Sequence, residues 1–252
     1  MNMEVNEINY KKIYNVAECA GITNFDMTDG ANRLDVYTKI KNWINSDNEL
    51  KNLFTAEVVT LNESNQYYCV RLKTSTGFFA AYGSTGGNSH TAVHYGYYTS
   101  GGNNYSAFSS VTGCDVDRLK FMTVKGDYGF AFGFYSATML PDTQIRGIIT
   151  TCTDDTGNEI ELGIHISGYG LTFIKNSYTY TSSNYFLFLP STSSITALSS
   201  FLIPSMDLLS ENCRIADGHQ FSGLTCFEAG GKKWCLISQS TSYKGLALLL
   251  ED

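Results

Sequence analysis

From Ala56 to its last residue, the chain repeatedly places apolar side chains at every second position in short segments. That period sends alternate residues to opposite faces of an extended backbone, so each apolar face needs a sheet or core to cover it. Such a pattern builds sheets packed face to face, not a helical bundle. Strands are expected over 56–61, 66–73, 77–82 and 92–98. In Tyr128-Gly129-Phe130-Ala131-Phe132-Gly133-Phe134 the large aromatics share one face and Gly or Ala the other. The small face admits another segment or sheet at close range. Ile160, Leu162, Ile164 and Ile166 alternate with Glu159, Glu161, Gly163 and His165, as in a half-buried antiparallel strand. Its expected partner is 144–152, joined through Asp154-Asp155-Thr156-Gly157-Asn158, with Pro141-Asp142 as the turn before the pair.

The C-terminus yields a register. Segments 224–229 and 232–238 flank Gly230-Gly231, a two-residue hairpin signal. Phe227 then faces Trp234, Glu228 faces Lys233 and Cys226 faces Cys235. An aromatic pair on one face and a charge pair on the other support that register. The opposed cysteines read as neighbouring reduced thiols that oxygen can join. A last strand, Gly245 to Leu250, completes a meander, and its apolar content predicts that it is buried or paired.

The period changes before Ala56. Leu34, Tyr37, Ile40 and Ile44 recur at helical spacing and predict a helical stretch over 33–53. Asn32 and Asp35 resemble a capping pair, and Ser46 with Glu49 a capping box for a second short helix ending near Leu53. Residues 1–30 have no clean period and read as an extended arm or an irregular docking segment. The fold expected is mainly β: an antiparallel β-sandwich-like domain with a small N-terminal helical annex. Its division is 1–54, an arm and helical docking element, and 55–252, a β domain ending in a three-strand meander. Ser/Thr/Gly/Asn-rich stretches at 82–89, 98–105 and 177–184 read as loops.

Composition narrows the functional classes. Charged residues are 16% of the chain, below the roughly 25% usual in globular domains. Ser, Thr, Asn, Gly and Tyr replace them, giving a polar, weakly charged surface suited to protein contacts. A net charge of -7 without a long basic run argues against nucleic acid as a partner. No apolar run approaches the length of a membrane span. Met1-Asn2-Met3-Glu4-Val5-Asn6 lacks the basic-then-apolar order of a signal peptide, so synthesis in the cytoplasm is expected. Seven cysteines without a CxxC pair read as mostly buried thiols in a reducing compartment, not as a disulfide framework or zinc site.

Each candidate for chemistry has a plainer role. His90 and His94 have the spacing of a helical metal pair, but on a strand they stand roughly 13 Å apart. Asp115/Asp117 and Asp154/Asp155/Glu159/Glu161 match neither an EF-hand nor a placed pair of catalytic carboxylates, and acids in turns cap backbone amides. Cys114 or Cys213 with His165 or His219 would make a nucleophile–base pair, as in a cell-wall hydrolase, but no local motif places one. No catalytic residue, cofactor or metal is therefore expected, and the chain reads as no enzyme. The aromatic, hydroxyl-rich segment 93–108 remains. Tyr95, Tyr97, Tyr98, Tyr105 and Phe108 are the candidate contact surface, because tyrosine among small polar residues offers area at low entropy cost. The same rings suit a sheet core or the stacking of sugars.

The ending Phe227-Glu228-Ala229-Gly230-Gly231-Lys232-Lys233-Trp234-Cys235-Leu236, followed by an apolar last strand, resembles that of virion structural proteins from phages and prophages of Gram-positive bacteria. The proline-poor, Ser/Thr/Gly/Asn-rich middle is similar to tail, collar and fibre components. The resemblance covers the closing hairpin and strand and transfers no functional residue. It implies a virion localisation after synthesis in the host bacterial cytoplasm. It also implies an oligomer whose partners are copies of itself and other virion proteins, in the tail, neck/collar or baseplate region. The alternative it leaves is a receptor- or carbohydrate-binding module that meets a host surface glycan.

Overall fold

The computed structural model describes residues 10–83, 92–98, 105–139, 145–167, 170–175, 178–182, 187–188, 198–203, 208–217, 224–239 and 244–252. The expected turn at Pro141-Asp142, His90, His219 and most of the loop stretches 82–89 and 98–105 lie outside them. In the third stretch Tyr178–Ser182 is a strand and not the expected loop, its alternating Tyr and Thr pairing with residues 171–175. The first strand, β1 (Lys11–Asn15), runs into one helical turn, α1 (Val16–Cys19), and Tyr14, Val16 and Ala17 are buried. Those three side chains join the core, so this part of the N-terminal segment is docked on the body, while Ile13 is 47% exposed; residues 1–9 are outside the description.

Helix α2 (Gly30–Ser46) starts at Asp29, whose carboxylate accepts from the Ala31 N–H at 3.0 Å. This corrects the expected Asn32/Asp35 cap. Asn32 instead donates to the Asp26 carbonyl, and Asp35 pairs with Lys39 one turn on. The buried stripe is Val36, Tyr37, Ile40, Trp43 and Ile44, joined by Arg33. Leu34 is 39% exposed, because at about 100° per residue it projects roughly a third of a turn from the centre of that stripe. The short helix α3 (Leu50–Leu53) ends where expected, but Asp47 caps its start, accepting from the amides of Glu49 and Leu50. Ser46 donates back to the Trp43 carbonyl instead.

The expected switch to period two produces an antiparallel meander of β2 (Thr55–Asn62), β3 (Tyr67–Lys73), β4 (Phe78–Gly83), β5 (Ala92–Tyr98) and β6 (Tyr105–Gly113). The four segments predicted there coincide with β2 to β5 apart from end residues. Val70, Leu72, Phe78, Ala80, Tyr82, Val93 and Tyr95 face inward and share one core with the stripe of α2. Asn45 on α2 accepts from the Ala56 amide and donates to its carbonyl, both at 2.9 Å, so edge strand β2 has one backbone pair satisfied by the helix.

A 3-10 turn (Val116–Arg118) leads to β7 (Leu119–Gly126), β8 (Gly129–Ser136), β9 (Gly147–Asp154), β10 (Glu159–Ser167), β11 (Gly170–Lys175) and β12 (Tyr178–Ser182), a second antiparallel meander. Strand β1 pairs with the free edge of β7. The predicted pairing of β10 with the segment before it holds: Ile160 faces Cys152, Leu162 faces Thr150 and Ile164 faces Ile148. The last strands are β13 (Leu187–Phe188), β14 (Leu198–Ile203), β15 (Leu208–Asp217), β16 (Cys226–Ala229), β17 (Lys232–Gln239) and β18 (Lys244–Glu251). The hairpin register is as predicted, with Cys226 opposite Cys235, Phe227 opposite Trp234 and Glu228 opposite Lys233.

Strand β9 forms the corner between the last two groups. Its residues Gly147–Thr150 pair with β8, while Thr153 and Asp154 pair with β15 on the same edge; β10 holds the other edge. Strand β15 then leaves β9 and pairs with β18 from Cys213 to Asp217. A ladder continuous at the corner thereby divides into two layers. Between them Met122, Val124, Ala131, Ile148, Ile164 and Phe173 meet Cys213, Cys235, Leu246, Leu248 and Leu250. The opposite face of the same central strands carries Phe121, Phe130, Phe132, Phe134 and Ile149, which pack into the core shared with the five-stranded sheet. The β8 pattern follows from this position: aromatics fill one interface, and small Ala131 lets the C-terminal layer approach. Phe54 wedges edge-on against Phe121, Phe130 and Phe132 at 4.9–5.6 Å. Each such pair contributes about 0.5–1.5 kcal/mol beyond burial. No helix among the described residues is long and apolar enough to cross a membrane.

Candidate contact surface

Strand β5 divides the candidate aromatics between two faces, as period two requires. Tyr95 is fully buried, its ring 6.0 Å from Phe78 and 5.7 Å from His165. It belongs to the core and is removed from the contact surface. Tyr97, on the same face, is half-buried and packs against that core. Tyr98 projects to the other side and meets Phe79 edge-on at 5.3 Å. In the backbone register Tyr105 lies opposite Tyr98 and Phe108 opposite Tyr95; their side chains lie outside the description.

The face that Tyr98 shares carries charge. Glu57, Arg71, Ala81 and His94 are successive partners across β2, β3, β4 and β5. The Arg71 guanidinium lies over Phe79 at 5.1 Å and Tyr98 at 5.9 Å, and the Lys73 ammonium lies 4.8 Å from the Tyr98 ring. The Tyr98 hydroxyl donates to Glu57. A cation facing two rings, and a phenol bound to a carboxylate, make a platform on which charged and aromatic groups alternate. Tyr98 retains 9% exposure and Arg71 3%, so the platform is largely covered within the chain. His94 also lies within it: its Nε2 donates to the Gly83 carbonyl at 3.2 Å, and burial lowers its pKa. Burial pushes the neighbouring Cys69 thiol up to about 11, with Arg71 partly opposing that shift. A signal for this platform was present in the sequence. Cys69, Arg71 and Lys73 alternate with Val70 and Leu72, which puts both cations on the side away from the core.

The structure does not assemble the other candidates. Asp154 accepts from the Thr156 hydroxyl and from the amides of Thr156 and Asn158 at 2.7–3.0 Å, and those bonds hold its carboxyl below the usual range. It caps its own hairpin loop, the ordinary task of an acid in a turn. Glu161 accepts from Ser75 at 2.6 Å and ties β10 to the β3–β4 turn. Asp115 precedes the 3-10 turn and Asp117 lies within it, both on the surface. Cys114 lies beside Ser136 at the end of β8. His165 is opposite Gly147, whose other partner is Phe132, four residues earlier on β8. Strand rise over those four residues and two strand spacings together separate thiol and imidazole by roughly 16 Å. Cys213 is buried between the central and C-terminal layers, whereas His165 contacts rings on the other side of the central layer. Among the described residues no three His, Cys, Asp or Glu side chains are placed to hold a metal ion.

No protein-family model matches this chain, and neither the curated proteins nor the solved structures contain a match to it.

Proposed function

We propose that the chain is a non-enzymatic structural component of a phage or phage-derived particle, in its tail, neck/collar or baseplate region. It acts through protein–protein contacts, with copies of itself and other virion proteins as partners, after synthesis in a bacterial cytoplasm. The observation that carries this reading is the C-terminal meander, whose sequence resembles the closing hairpin and strand of virion proteins. Here that ending is built into the body. Strand β18 lies between β15 and β17, and the Asp127 amide in the β7–β8 turn donates to the Leu250 carbonyl at 3.1 Å. The polar, weakly charged composition supports the same reading, because stacked sheets with few surface charges suit repeated contacts between subunits.

Light scattering on the purified chain and mass spectrometry of particles from the encoding strain test it together. A stable ring or trimer and recovery of the chain in particles are expected. A monomer that is absent from purified particles overturns the proposal.

A further inference from the structure

Four of the seven cysteines meet at one core. Cys213, Leu248, Cys235 and Cys226 are successive register partners across β15, β18, β17 and β16, and Cys152 borders the same core. Only one adjacent pair in that row is cysteine on cysteine, since Leu248 separates Cys235 from Cys213.

The turn determines the geometry of that pair. Gly230 and Gly231 have φ of 63° and 77°, the left-handed values of a two-residue hairpin turn. Such a turn is closed by a hydrogen-bonded pair, here Ala229 and Lys232. Alternation then makes 228/233 open, 227/234 bonded and 226/235 open. The Leu236 amide donates to the Thr225 carbonyl at 3.0 Å, the bonded position this count requires next. Open pairs have Cα atoms about 4.5 Å apart and the closer side chains, inside the span a disulfide bridges. Exposure differs within the pair: Cys226 is half-buried at the sheet edge, whereas Cys235 is 2% exposed.

We infer that Cys226 and Cys235 form a thiol–disulfide modification site, with Cys226 as the entry thiol and Cys235 as the resolving thiol. The reactant is a small-molecule disulfide of the glutathione class. The Cys226 thiolate attacks one sulfur of the reactant, forming a mixed disulfide and releasing one small thiol. The Cys235 thiolate then attacks the Cys226 sulfur, closing the cross-strand bond and releasing the second small thiol. Two protein thiols are oxidised, one small disulfide is reduced to two thiols, and the two protons leave with those thiols. The bond closes a short loop at the sheet edge and stiffens the hairpin next to β18. The inference stands apart from the proposed function, because it rests on register and exposure alone.

The test is incubation of the full chain with oxidised glutathione, followed by alkylation under denaturing conditions and peptide mass mapping. Loss of two alkylatable thiols, mapped to Cys226 and Cys235 and reversed by dithiothreitol, is expected, with a Tm rise of about 5 °C. Cys235→Ser is expected to retain glutathione on Cys226, and Cys226→Ser to remain unmodified at Cys235. Retention of all seven thiols, a bond at any other pair, or a Cys235→Ser chain without glutathione overturns the inference. The Cys226→Ser chain alters the more exposed position and keeps the test open if Cys235→Ser does not fold.

Discussion

His165 packs against Phe78 and Tyr95, so protonating it places a cation among aromatic rings in the field of Arg146. Burial, and then Arg146, lower its pKa to about 3. An unfolded histidine titrates near 6.5, so below that pH the unfolded chain binds a proton that the folded chain refuses. The stabilising contribution is present in full above about pH 6.5 and is lost as pH falls towards 3. We expect a loss of about 2 kcal/mol between pH 7 and pH 5, measured by urea unfolding at both values. His165→Gln should flatten most of that dependence, leaving the smaller share of His94. An unchanged slope in the variant would remove His165 as the cause. The sequence placed His165 on the polar side of an alternating strand. Only the arrival of Phe78 and Tyr95 from the neighbouring sheet turned that side into an interior.

At the scale of elements, α2 shows how a helix is attached to a sheet by something other than its apolar stripe. Arg33 donates to the carbonyls of Met27 and Thr28 at 2.8 and 2.7 Å and to that of Gln66 at 3.2 Å. One guanidinium thus fastens the approach to the helix and the β2–β3 turn, where Gln66 has a φ of 53°. Arg33→Met leaves those carbonyls without a charged donor and should lower stability by about 3 kcal/mol in urea titration. Arg33→Lys should recover only part of this, since an ammonium lacks the fork that spans two segments. Full recovery by lysine would show that charge alone suffices. Apolar periodicity found the helix but not its N-terminus or Arg33, because it scores only apolar side chains. The cap was equally hidden: Asp29, Asn32 and Asp35 all suit an N-cap by type, and the chain's path through Asp26–Thr28 selects Asp29.

At the scale of the molecule, the central layer is covered on both faces, and its C-terminal cover depends on the last strand. Removing residues 244–252 withdraws β18 from between β15 and β17 and uncovers Met122, Val124, Ile148 and Phe173. The truncated chain should bind an apolar dye such as ANS and lose its remaining C-terminal strands to limited proteolysis. Its helical annex and first sheet should be the more resistant part; equal protease resistance in both chains would refute that coupling. The alternation from Ala56 onward determined by itself that the body is antiparallel sheet, and the Gly-Gly turn determined the hairpin register. Both are local consequences of side-chain period and backbone conformation. The number of layers was decided only in three dimensions. So were the corner at β9, the inward turn of Tyr95 and the burial of Tyr14, Val16 and Ala17 from the N-terminal segment. An alternating strand states that it has two faces. What covers each face is set by residues far away in the chain, through packing that no local pattern encodes.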